Sequence, residues 1–327
     1  MNHRYLTPGK IRRLQTAASP AGVFRILAID HRGVLLKMMD RSGRGDVPAE
    51  RVTQLKLDIV RRVGPLATAV ILDPQYSILP AIARGVMPGH VGLIASLESP
   101  PSTSNSNPSD RKSPECGVRQ ARQIGASGVK LYLAYHPDAG DRAIAQEDLV
   151  RSVIGQCAEE SIPLFLEPVT YSIDPEVRTD SPHFAKERRR IAIESARRLG
   201  ALGPDVLKLQ FPVDGRHEPD EATWRLACAE MGDASPVPWA LLSAGDPFDM
   251  FKTQLQIACE AGCSGFMAGR TVWSEAATAP EAERGAVLEN TILPRMEELN
   301  RIADRYGHAW QEKSPLLAID TAGSESY

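Results

Sequence analysis

No run of about 18 apolar residues occurs anywhere in the 327-residue chain, so nothing in it reads as a membrane-spanning helix. The opening segment, MNHRYLTPGKIRRLQTAASP, also lacks the apolar core of a secretion signal, and the expected location is the cytoplasm. An excess of one charge is missing too. With 38 basic residues against 41 acidic ones the net charge is −3, which gives no electrostatic reason to expect nucleic acid or a membrane surface as partner. A small charged metabolite is the partner class left open. Cysteine is sparse: Cys116, Cys157, Cys228, Cys259 and Cys263 contain one close pair, spaced CxxxC in a helical pattern, and read as reduced core or helix residues. The seven histidines (His3, His31, His90, His136, His183, His217, His308) hold no HxH or HxxxH pair, so no metal and no other cofactor is expected. Lysine is the rarest charged residue, nine against 29 arginines.

What is present is a repeat of short apolar runs, each followed by a helical pattern. The runs are FRILAID (24 to 30), TAVILDPQYS (68 to 77), VGLIASLES (91 to 99), GVKLYLAY (128 to 135), PLFLEPVTY (163 to 171), DVLKLQFP (205 to 212), PWALLSAG (238 to 245) and GFMAGRTVW (265 to 273). Between them lie segments such as PAERVTQLKLDIVRRVG, which opens on Pro48 and closes on Gly64, and DPFDMFKTQLQIACEAG, where Asp246 is an expected cap and Pro247 the first helical residue. Eight strand and helix units in about 250 residues predict an α/β chain forming a single (β/α)8 TIM barrel, with an N-terminal helix ahead of it. An open doubly wound sheet would want a GxGxxG turn after its first strand, and none is present. One domain is expected over residues 1–327, its core at about 20–312. Residues 99–115, SPPSTSNSNPSDRKSPE, read as a flexible surface loop after the third strand or, since it would hang over the catalytic end, as a substrate lid, and 313–327 as a peripheral tail.

The charged residues inside these runs are the informative ones. In DVLKLQF a period of two places Val206, Lys208 and Gln210 on one face, and Leu207, Leu209 and Phe211 on the other. A flat sheet would put Lys208 in water, whereas a closed barrel turns it inward. The same alternation sets Lys130 beside Tyr132 in the fourth run and Glu167 beside Phe165 in the fifth. Three neighbouring strands then aim ionisable groups at one place. A buried amine near a second cation, such as Lys208 near Lys130, is activated for Schiff-base chemistry, and Glu167 is placed to move protons. In the last two units, Ser243, Ala244 and Gly245 of LLSAG and Gly269 and Arg270 of AGR occupy the loops where barrels hold phosphate. Asp30, His31 and Arg32 close the first strand and Asp73 the second. These could bind substrate hydroxyls, a second anion, or one another.

These motifs, LAIDHRG, ILDPQYS, GVKLYLAYHPD, IPLFLEPVTY, DVLKLQFPV, LLSAG and GFMAGRTVW, resemble in order and spacing the class I tagatose 1,6-bisphosphate aldolases and the related sulfofructosephosphate aldolases. The resemblance spans about residues 5 to 312. It implies a TIM barrel and metal-free cleavage of a ketose bisphosphate to dihydroxyacetone phosphate and glyceraldehyde 3-phosphate; a homo-oligomer is left open. It also implies Lys208 as the Schiff-base lysine, Lys130 and Glu167 as its partners, Asp30 as the strand 1 aspartate, and LLSAG and AGR as phosphate segments. His31 stands where the family commonly has Gln, and Gln75 where it commonly has Glu, so recognition of the far end of the sugar differs. A sulfonated sugar, or non-covalent isomerase or decarboxylase chemistry, is the alternative.

Overall fold

The computed structural model describes residues 6–40, 43, 45–97 and 117–314. The loop expected at 99–115 and the tail from residue 315 onward lie outside these. Eight parallel strands close into a barrel: β1 Phe24–Ala28, β2 Ala69–Leu72, β3 Gly92–Ser96, β4 Gly128–Tyr135, β5 Leu164–Thr170, β6 Val206–Leu209, β7 Trp239–Leu242 and β8 Gly265–Ala268. Each pairs with the next in sequence and β8 pairs with β1, with helices between successive strands, so the expected (β/α)8 TIM barrel is what forms. Among the described residues no helix is long and apolar enough to cross a membrane.

Closure explains the alternation. Leu207 and Leu209 of β6, Val129 and Leu131 of β4, and Leu164 and Leu166 of β5 belong to the apolar layer between barrel and helices. Their neighbours point to the axis, where Phe24, Ile26, Phe165, Val206, Ala240 and Met267 fill the lower barrel. Phe24 and Phe165 meet edge to face with centroids 5.8 Å apart. Burying each such ring stabilises the fold by about 1.5–3 kcal/mol.

The N-terminal helix Pro8–Ala17 starts at Thr7, whose hydroxyl accepts from the Lys10 amide at 3.3 Å, and it lays Leu14 and Ala17 across the lower mouth. Trp310 joins the same cluster. Lys10 reaches inward and donates to both oxygens of Asp205, at 2.9 and 2.8 Å, while Asp205 Oδ2 also accepts from the Leu164 amide. The lower end is thereby plugged, and the barrel opens at the carboxyl ends of its strands.

Two local expectations are corrected. The helix after β7 runs Phe248–Glu260 with Pro247 before its first residue, and Asp246 does not cap it; the Asp246 carboxylate instead accepts from Gln254 Nε2 at 3.2 Å. The apolar runs also overstate the strands: β8 ends at Ala268, and the rest of its run is the first turn of the helix Arg270–Thr278. Cys157, Cys228, Cys259 and Cys263 are free thiols and buried.

Candidate active site

At the open end lies a cavity of about 400 Å³. Eleven of the twelve residues singled out in the sequence line it: Asp30, His31, Arg32, Lys130, Glu167, Lys208, Ser243, Ala244, Gly245, Gly269 and Arg270. Asp73 is the exception. It is fully buried, turned away into an ion pair with Lys56 of the helix Ala49–Val63, and held further by the Ser77 hydroxyl at 2.7 Å and the Tyr76 amide at 2.8 Å. Both its oxygens are engaged by neighbours, so it belongs to the wall and not to the cavity.

The floor is a chain of alternating charges. In the β4–β5 ladder Lys130 stands opposite Phe165, and Glu167 is one inward step above it; Val206 stands opposite Phe165 on the other side, which brings Lys208 level with Glu167. The Glu167 carboxylate consequently sits between two ammonium groups, 2.7 Å from Lys130 Nζ through Oε2 and 2.9 Å from Lys208 Nζ through Oε1. Lys130 Nζ in turn donates to Asp30 Oδ2 at 2.9 Å. All four side chains are nearly excluded from solvent. Burial alone would push both carboxyls up, but the charges of Lys130 and Lys208 outweigh it and hold Glu167 below, and Asp30 far below, the usual carboxylate range. Both are anions at neutral pH. The two lysines are therefore not bare neighbours, as their sequence positions suggested; a shared carboxylate separates them.

His31 completes the β1 side. Its ring meets Trp273 edge to face at 5.2 Å, and its Nδ1 lies 3.9 Å from Asp30 Oδ1, beyond hydrogen-bond reach. Burial, with Lys208, Arg270 and Lys130 nearby, pushes the imidazole down to about 3 against the pull of Asp30. It is neutral at physiological pH.

The rim over β7 and β8 is built from backbone. Ala244 has φ +51° and Gly245 φ +87°, consecutive left-handed residues, and at Ala244 this conformation is strained. Arg270 Nη2 donates to the Ala244 carbonyl at 2.5 Å, and a Cβ on Gly245 would come within 3.0 Å of the guanidinium carbon, so only glycine lets Arg270 lie there. Gly269 has a different part than its position suggested. Its amide donates to Ser243 Oγ at 3.2 Å, and the space a Cβ would fill is taken by His31 Cε1 at 2.6 Å. Gly269 makes room for the histidine, while its N–H is used inside the protein.

Sequence reasoning left Gln210 and Tyr132 out of the site, although both line the cavity. The signal was available, since each lies two residues beyond an inward lysine on the same face. The buried ion pairs of Lys56 and Lys10 carried no local signal at all.

A family model described as DeoC/LacD family aldolase matches residues 24–275, which takes in every residue that lines the cavity. The chain belongs to the DeoC/LacD aldolase family. This aldolase, a carbon–carbon lyase, is 28% identical over 332 residues to the tagatose 1,6-diphosphate aldolase of Streptococcus agalactiae, covering 94% of this chain and 99% of that one. Among solved structures, a Schiff-base-forming fructose-1,6-bisphosphate aldolase superposes with a TM-score of 0.58 at 19% identity, over 91% of this chain and 99% of the other. The fructose-bisphosphate aldolase of Plasmodium falciparum gives 0.64 at 13% identity, over 93% and 97%. At those identities the two structures speak for the shared barrel alone.

Proposed function

We propose that this aldolase works through a Schiff base on Lys208 and cleaves a ketose 1,6-bisphosphate, tagatose 1,6-bisphosphate first among candidates, without a metal ion. The observation that carries the reading is the position of Glu167, within hydrogen-bond distance of Lys208 Nζ at the floor of the cavity. The streptococcal relative, named for tagatose 1,6-diphosphate, supports the choice of sugar.

The steps follow from the groups present. Glu167, an anion, takes a proton from Lys208, and the freed amine adds to the C2 ketone to give a carbinolamine. Glu167 returns the proton to the departing hydroxyl, water leaves, and an iminium forms. Glu167, an anion again, takes the C4 hydroxyl proton, C3–C4 breaks, and the bonding pair flows into the iminium to give an enamine plus glyceraldehyde 3-phosphate. Glu167 returns that proton to C3 of the enamine, and addition of water to the resulting iminium releases dihydroxyacetone phosphate and restores Lys208. Lys130, fixed by Asp30, holds Glu167 in place and steadies its charge. Arg270 and the Ser243–Gly245 turn bind one phosphate, by bidentate donation and by backbone N–H groups in a concave turn. Arg32 and the neutral His31 receive the other end of the sugar.

A panel of tagatose 1,6-bisphosphate, fructose 1,6-bisphosphate and sulfofructose 1-phosphate, assayed for triose release, tests the substrate. The highest kcat/KM is expected for tagatose 1,6-bisphosphate, with all turnover lost in Lys208→Ala. A higher value for the sulfonated sugar would replace the assignment, and turnover surviving in Lys208→Ala would sink the Schiff base itself.

A further inference from the structure

Above the two lysines, the side of the cavity formed by β4, β5 and β6 carries no further charge: Tyr132, Val169 and Gln210 face it. Gln210 is the polar group whose orientation the surroundings determine. β6 ends at Leu209, one residue before it, while β5 continues to Thr170. The Gln210 side chain fills the vacated ladder position, its Oε1 accepting from the Thr170 amide at 2.7 Å and from the Thr170 hydroxyl at 3.1 Å. A backbone N–H can only donate, so the oxygen of the amide must face Thr170 and the NH2 must face away from it. Among the described residues none accepts from that NH2, and Gln210 is half-buried with the cavity beside it. The reach toward Thr170 also leans the side chain to β5, away from the Ser243–Gly245 turn after β7.

We propose that Gln210 is a specificity-determining residue of this aldolase, donating from its amide NH2 to an oxygen on the C4–C6 part of the bound sugar, with Thr170 as the positioning residue that sets which end of the amide is offered. The inference rests on the Schiff-base reading above, with C2 tied to Lys208, and takes the phosphate held by the β7 and β8 loops to be the one on C1. C4 and its neighbours then pass the uncharged side where the amide waits, before the far end of the sugar reaches Arg32 and His31.

The test separates the two halves of the substrate. Dihydroxyacetone phosphate alone supports proton exchange at C3 through the enamine and has no C4–C6 part, whereas cleavage of the ketose bisphosphate needs the whole sugar. Gln210→Glu keeps an acceptor for the Thr170 amide but replaces the donor by an acceptor. Its melting temperature should stay at that of the parent and dihydroxyacetone phosphate should still be trapped on Lys208 by borohydride. Its kcat/KM for cleavage should fall at least about tenfold more than its rate of C3 deuterium exchange, as expected for loss of one substrate hydrogen bond. Gln210→Met, of similar length and without added charge, should give the same split, and decides the matter should the Glu variant not fold. Parental cleavage in both variants, or cleavage and exchange falling in parallel, would overturn the role of Gln210 alone. A parent protein that traps no adduct would overturn the Schiff-base reading and this inference with it.

Discussion

Lys10 at the lower mouth of the barrel and Lys208 at the upper one look alike on paper: each is buried, and each is paired with a carboxylate at 2.8 to 2.9 Å. Their surroundings differ in what the carboxylate does. Asp205 gives both oxygens to Lys10 and one of them again to the Leu164 amide, under a plug of Leu14, Ala17 and Trp310. Glu167 instead divides its two oxygens between two lysines and faces a cavity of about 400 Å³. Lys56 with Asp73 is a third such pair, sealed like the first. Burial of an ion pair is thus no mark of a site. An open face and a carboxylate shared between two cations are.

That contrast can be broken by substitution. The largest effect is expected from Glu167→Gln, which keeps shape but removes the proton carrier; kcat for cleavage should fall by about 10² to 10⁴ while the melting temperature moves little. A loss under about tenfold would return Glu167 to the class of Asp205. Next, Arg270→Ala should raise KM about ten- to a hundredfold through loss of a charge-assisted contact, with a smaller change in kcat; an unchanged KM would move the anion site away from β7 and β8.

Lys10→Ala sharpens the comparison from the other side. It leaves Asp205 buried without its cation, and urea unfolding should show a loss of about 3–5 kcal/mol, with kcat/KM per folded molecule within about twofold of the parent. The smallest effect concerns pH. An unfolded histidine takes up a proton near 6.5, while folded His31 stays neutral down to about 3, so the unfolded state binds more protons in between and stability falls as pH is lowered through that window. Asp30 and Glu167, depressed by the lysines, act in the same direction at the lower end, their contribution being present above the ordinary carboxylate range and lost only as pH drops through their folded values. Thermal melts from pH 7 down should therefore show a decline that His31→Gln makes shallower between pH 6.5 and 5.

The parts legible in the sequence are those set by short-range periodicity. GVKLYLAY coincides with β4 from Gly128 to Tyr135, and the inward placing of Lys130, Glu167 and Lys208 follows from a period of two once the sheet closes. The rest depends on who meets whom across the fold. Asp73 reads as a strand-end carboxylate like Asp30, and only the arrival of Lys56 from a helix decides that it is structural. Gly269 reads as a phosphate glycine, but Ser243 takes its amide and His31 its space. The exchange of Oε1 of Gln210 for a missing ladder bond is invisible until β6 is seen to stop one residue short.

The central claim is that, of four buried lysines each paired with a carboxylate, Lys208 is the one that forms a covalent bond with substrate. Borohydride reduction in the presence of dihydroxyacetone phosphate, followed by peptide mass spectrometry, reads this directly. The account predicts a single adduct on the peptide containing Lys208, with Lys10, Lys56 and Lys130 unmodified. An adduct on any of those three, or none on Lys208, would contradict it.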